Sequence, residues 1–341
     1  MGINMELFGS SHGMRSITPP LITALATLVV ATQCLGNGNN GSDRLAPDGE
    51  SLSQSPGTSN TFLGFVSGSL GYSLETNLFA RTNASLSSNA EFLFSVMDYS
   101  RTNFVRNPGF WLGRPPQLAA TVVGAWGTNG GPGPTLSGYI GGAAISPVHV
   151  INCRHAPFVA GNVLLFIDSK GNPVLRTVLG NVGLYADINI SLLNRPLPPT
   201  IHPFALLPPD MTNYLPADGY SYAYNFVAQN QFQKIFPVKI GWSGDTNADA
   251  WVFSCFADTS HFPTNWGWTP ISGDSGHPIM TLVGTNLLLV GHWTSPQSGP
   301  LYNAYYSNID SAMHRLSTNF NIGSDYRLST GDLSGFTYYG R

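Results

Sequence analysis

The residues of this chain best suited to chemistry are Gly273-Asp274-Ser275-Gly276-His277-Pro278. Glycines two places before and one place after the serine permit a sharp backbone turn. Such a turn can lift the Ser275 hydroxyl into a cleft and aim the amides of Gly273 and Ser275 at one point, as a developing oxyanion requires. A serine hydroxyl is a weak nucleophile and needs a base beside it, with an acid to orient that base. His155 is the candidate base. It follows Val148-His149-Val150-Ile151-Asn152-Cys153, a short run that reads as a strand after a Ser146-Pro147 turn. Asp187 is the candidate acid. It opens a segment in which Ile188, Ile190 and Leu192 alternate with Asn189 and Ser191, the pattern of a half-buried strand. The acid lies 32 residues after the base, and the serine 88 after the acid. This order argues against an α/β-hydrolase, which runs serine, acid, histidine and needs Gly-x-Ser-x-Gly, since His277 stands where the last glycine would be.

The hexapeptide resembles the nucleophile loop of trypsin/chymotrypsin-like serine proteases, whose fifth residue is usually glycine where this chain has His277. The strand, turn, strand and histidine of 143–156 have that family's layout, with Asn152-Cys153-Arg154 in place of its usual small residues. Asp187 at the head of an alternating strand matches it too. The resemblance covers residues 111–316, specific at the serine loop and in pattern elsewhere. It implies an all-β fold of two antiparallel six-stranded Greek-key barrels with a short C-terminal helix. It also implies that His155, Asp187 and Ser275 are catalytic, that the Gly273 and Ser275 amides form the oxyanion hole, that no cofactor is needed, and that the substrate is a protein or peptide.

The same resemblance assigns further positions. Asp274 would pair with a new amino terminus after zymogen cleavage, or with another donor. Val122-Val123-Gly124 is similar to the mature start of a trypsin, but Thr121 precedes it, so trypsin-type activation is not expected. The pocket floor falls on Thr269, and without an aspartate there Lys/Arg cleavage is not implied. The pocket wall falls on His292, Trp293 and Thr294. A His-Trp pair there resembles the glutamyl endopeptidases, whose pocket histidine binds an acidic side chain. A histidine stacked beside a buried tryptophan is the other reading.

Several elements must position these residues. Only 10% of the residues are charged, and 25 prolines and 38 glycines punctuate short apolar runs, which indicates mostly β structure. Strands are expected over 119–126, 137–145, 148–153, 162–167 and 174–179, then 221–227, 233–240, 250–256, 278–283, 287–293 and 301–306, with a helix at 308–316. Seven prolines in 196–216 suit an extended crossover between two barrels. Asp168, a rival acid, sits in an Asp-Ser-Lys-Gly hairpin turn. His149, Cys153 and His155 hint at a metal, but no accompanying ligand motif supports one.

The domain reading is a signal peptide over 1–34, a disordered linker over 35–60, an N-terminal extension over 61–110, the protease domain over 111–320 and a tail over 321–341. The apolar run 21–31 is too short for a membrane span and suits a signal-peptide core. This places the protein outside the cell or in the periplasm, like bacterial exported relatives of the resembled family. Net charge is −3 with no basic cluster, which argues against nucleic-acid binding. With three cysteines there is no dense disulfide framework, and Cys153 and Cys255 are expected as buried free thiols. Two rivals to an endopeptidase stand beside it: a catalytically inactive protease fold used for binding at the cell surface, and an esterase using the same three residues.

Overall fold

The computed structural model describes residues 69–82, 89–97, 104–127, 141–215, 220–229, 233–245, 250–257, 274–295 and 298–338. The expected signal peptide and linker lie outside these, as do Thr269 and Gly273. The chain begins here with helix α1, Leu70–Thr82. Leu70, Leu74 and Leu78 fall four residues apart, so they share one helix face, and all three are buried. The sequence pattern of the 61–110 extension does not predict this helix. Strands β1, Phe94–Met97, and β2, Phe104–Arg106, follow as an antiparallel pair.

Six strands then form one antiparallel half-barrel sheet. They are β3, Gly124–Trp126; β4, Ala143–Ala144; β5, His149–Cys153; β6, Val163–Ile167; β7, Pro173–Gly183; and β8, Ile188–Leu193. Their order is β3-β6-β7-β8-β5-β4. Thr121, just ahead of β3, bridges to Ala143 of β4, and the Val122 N–H donates to the Gly142 carbonyl at 2.9 Å. The residues just ahead of β3 therefore touch the β4 edge. The expected strand 119–126 starts late because Pro116–Ala120 forms a 3-10 turn, with Pro116 itself at its first position.

The proline-rich stretch leads out of β8 through β9, Ala205–Leu206, and a 3-10 turn at Met211–Tyr214. A seven-stranded sheet follows, in the order β15-β12-β11-β10-β13-β14-β9. Its remaining members are β10, Tyr220–Gln229; β11, Lys234–Asp245; β12, Ala250–Ala257; β13, Pro278–Val283; β14, Asn286–His292; and β15, Ser298–Pro300. All pairs are antiparallel except β9 with β14. Gly291 of β14 also bridges to Leu301, the residue after β15. Helix α1 packs on β10 and β13.

The expected strand 301–306 is instead a 3-10 turn, Tyr302–Tyr305, running into helix α2, Tyr306–Asn319. Ile309, Ala312, Met313 and Leu316 form the buried face of α2. The tail is placed as well. Arg327 pairs with Asp310, the Leu328 N–H donates to the same carboxylate at 2.9 Å, and Leu328 and Leu333 are buried. Thr330 bridges in parallel to Leu206 of β9. Among the described residues no helix is long and apolar enough to cross a membrane.

Candidate active site

Strand pairing brings the first two site residues together. In the antiparallel pair β5–β8, Cys153 faces Ile188, so the chain leaving β5 meets the chain entering β8. The Arg154 N–H donates to the Asp187 carbonyl at 2.7 Å, and the His155 N–H donates to Asp187 Oδ1 at 2.7 Å. With its backbone pinned this way, the His155 ring lies with Nδ1 2.7 Å from Asp187 Oδ2. The turn that presents the acid is strained: Ala186 and Asp187 have φ of 57° and 63°, left-handed values at two successive non-glycine residues.

A buried polar ladder supports the same corner. The alternation in β8 predicts one apolar and one solvated face, but all six of its residues are buried. Its polar side is satisfied from within. The Asn189 amide donates to Asn152 Oδ1 and Ser191 Oγ, both at 2.9 Å. Asn152 in turn donates to the Ala156 carbonyl at 2.9 Å, and Ser191 to the Phe158 carbonyl at 2.8 Å. Buried polar groups persist where they are paired, and this ladder ties down the loop that carries His155. Phe158 packs so closely over Gly142 that a Cβ there would come within 2.6 Å of its ring.

Ser275 arrives from the loop ahead of β13, 120 residues after His155, and its Oγ lies 2.9 Å from His155 Nε2. Its carbonyl accepts from the Gly141 N–H at 3.0 Å, and the Gly276 N–H donates to the Trp293 carbonyl at 2.8 Å. Gly276 has φ of 79°, and a Cβ there would meet the Gly141 carbonyl oxygen at 2.5 Å. Both facts require glycine at 276.

His277, where the resembled loop has glycine, is accommodated by a second glycine. A Cβ on Gly141 would lie 2.5 Å from the His277 ring. The ring is buried, with Nδ1 3.1 Å from the Asp274 carbonyl oxygen, and burial lowers its pKa to about 4, so it is neutral near pH 7. Asp274 is also buried.

The carboxylate of Asp187 is electrostatically well provided for. Burial alone would raise its pKa, but interactions with the His292, His155 and Thr294 side chains and the His155 N–H hold it well below the ordinary carboxylate value. The His155 side chain itself is 44% exposed, so the ring and the serine beside it are open to a ligand. Cys153, beneath them, is a buried free thiol raised to about 12, chiefly by burial, which makes it inert.

The other sequence-derived positions divide. His292 and Trp293 are buried and Thr294 half-buried. His292 turns inward, to Asp187 and Tyr302, which favours the packed-imidazole reading over a pocket histidine. Asp168 lies in the β6–β7 turn, where its Oδ1 accepts from the Lys170 and Asn172 N–H groups at 2.9 and 2.8 Å. His149 is buried between two hydroxyls, Ser146 Oγ at 2.8 Å from Nδ1 and Ser317 Oγ at 3.2 Å from Nε2. Sequence reasoning missed the ladder of Asn152, Asn189 and Ser191. Its only signal was polar residues recurring at every second position of a strand.

No family model matches this chain, and no curated protein matches it.

Proposed function

We propose that this protein is a serine hydrolase, and specifically an exported endopeptidase working through His155, Asp187 and Ser275. One observation carries the proposal: Asp187 Oδ2, His155 and Ser275 Oγ form an unbroken line of contacts at 2.7 and 2.9 Å between residues far apart in the chain. In this reading Ser275 Oγ attacks a peptide carbonyl carbon while its proton passes to His155 Nε2. Asp187 accepts from Nδ1, which fixes the tautomer and stabilises the imidazolium. The N–H groups of Gly273 and Ser275 receive the oxyanion. Collapse expels the amine, which takes the proton from His155 and leaves an acyl-enzyme. Water, deprotonated by His155, then releases the acid and restores the serine.

The wider reading is of two barrels with the site between their contributions. The contact of Gly291 with Leu301 supports a second barrel, because it links β14 to the end of β15 at the opposite edge of the seven-stranded sheet. Export rests on the apolar run 21–31. The tight pairing of Gly141 with His277 speaks for a working enzyme over an inactive homologue, since it gives the odd histidine a place that leaves Ser275 on His155.

Purified protein treated with a fluorophosphonate probe tests the reading. Labelling is expected for the intact chain and should vanish in Ser275→Ala and fall at least a hundredfold in His155→Ala. An unlabelled intact protein that binds a partner would support the binding-module reading instead. Hydrolysis of simple esters without cleavage of any protein in a peptide library would point to the esterase.

A further inference from the structure

A second imidazole stands behind the acid. His292, at the end of β14, is 1% exposed, and its Nε2 lies 3.8 Å from Asp187 Oδ2, the same oxygen that meets His155. On its other side, Nδ1 makes a short hydrogen bond with the hydroxyl of Tyr302, in the 3-10 turn before α2. Thr294 Oγ1 lies 3.4 Å from Nε2. The rings of His292 and Tyr302 are tilted, with centroids 5.4 Å apart.

The proton positions follow from chemistry. Tyr302 is buried, and burial raises its pKa well above that of a free phenol, so it keeps its proton. Its hydroxyl therefore donates to Nδ1 of His292. A neutral imidazole carries one proton, so with Nδ1 accepting, the N–H is on Nε2. That N–H faces Thr294 Oγ1, at 3.4 Å, and Asp187 Oδ2, at 3.8 Å, where a bare lone pair would repel the carboxylate. At 3.8 Å the contact is a directed dipole on a charge and not a full hydrogen bond. Burial lowers the His292 pKa while Asp187 raises it, and the net effect is downward, which keeps the ring neutral.

We infer that His292 is a positioning residue of the site, whose Nε2–H, set by Tyr302, holds the Asp187 carboxylate ionised and aimed at His155. The inference rests on the serine-hydrolase reading. It gives the tyrosine and histidine a joint role: Tyr302 fixes the tautomer, His292 relays a positive edge to Asp187, and Asp187 fixes the tautomer of His155. The titratable groups around this line are Asp187 and His155 on one side and Tyr302 and Cys153 on the other.

Two measurements on the full chain test it. The ¹⁵N spectrum of histidine-labelled protein reports which nitrogen of His292 bears the proton, whether or not the protein is an enzyme. Nε2–H is expected, and Tyr302→Phe should populate the other tautomer. A proton on Nδ1 in the intact protein overturns the inference. Fluorophosphonate labelling rates across pH provide the second readout. His292→Leu should label about tenfold more slowly. Its acid limb should move to higher pH, because a carboxylate freed of the competing dipole holds the His155 imidazolium more firmly. Tyr302→Phe should shift both in the same direction by less, and His292→Gln, whose amide can still donate, should recover part of the rate. A variant that is slower but has an unmoved acid limb shows only a packing role and overturns the inference. If His292 has the Nε2–H tautomer and the intact chain is never labelled, the hydrolase reading fails independently.

Discussion

Asp187 shows how one residue can be committed from three directions. Its two oxygens accept from the His155 N–H and ring, and its own carbonyl accepts from the Arg154 N–H. Its folded pKa is depressed, so the stability it provides is present above the unfolded value of about 3.9 and is lost as pH falls below it. Asp187→Asn keeps the size of the side chain but can present an N–H to His155 where the carboxylate accepted. That forces the wrong tautomer, and labelling of Ser275 should slow by about 10⁴-fold while the folded far-UV signal is retained. A rate within tenfold of the intact protein would remove Asp187 from the proposed role.

At the scale of elements, the nucleophile loop and the start of β4 fit as a pair. His277 fills the space that Gly141 leaves, and Gly276 accepts a left-handed φ beside the Gly141 carbonyl. Gly141→Ala should therefore destabilise the fold by about 1–3 kcal/mol through overpacking. A His277→Gly background should relieve only the part of that cost due to the ring, since a Cβ at 141 would still lie 2.7 Å from the Cα of residue 277. A double-mutant cycle in urea is expected to give a coupling of about 1 kcal/mol or more, and strict additivity would disprove the pairing. The β5–β8 corner makes a comparable case. Asn189→Leu would take the partner from Asn152 Oδ1 and from the Asn181 amide and one of two bonds from Ser191, at a cost of about 1–3 kcal/mol for each group left unpaired. Urea melts would detect the loss, and a parallel fall in Ser275 labelling would show that the ladder holds the His155 loop.

The whole molecule carries its own pH signature. His149 and His277 are buried as neutral rings, each lowered to about 4, chiefly by burial. The unfolded chain binds protons at these rings below about 6.5 while the folded one does not, so their contribution is full above that pH and is lost as pH falls toward 4. Asp310, held low first by its hydrogen bonds from Arg327, adds a loss below about pH 4. The urea midpoint should therefore begin to fall near pH 6.5, ahead of any carboxylate, and the fall between 6.5 and 4 should be shallower in His149→Gln. The tail is also structural. Deleting 321–341 removes buried Leu328 and Leu333 and the partner of Asp310, and should cost about 4 kcal/mol or more. Unchanged thermal unfolding would show the tail to be dispensable.

What the sequence determined by itself is local. Alternation at 188–193 and the apolar runs at 148–153 and 162–167 specify strands, because the period of two is a property of the chain alone. The serine loop and the order of His155, Asp187 and Ser275 were legible in residue types. Helix α1 was not, since its three leucines sit among polar residues and gain their meaning only against β10 and β13. Nor was the turn at Tyr302–Tyr305, whose aromatic run has the composition of a strand. Only the tertiary structure decided that the polar side of β8 faces inward, that Gly141 makes room for His277, and that His292 meets Asp187 instead of the surface. Each of these depends on which side chain lies across a gap of a few ångströms from a residue distant in sequence. Local spacing carries no information about that, because hydrogen bonds and close contacts are made by the packed fold.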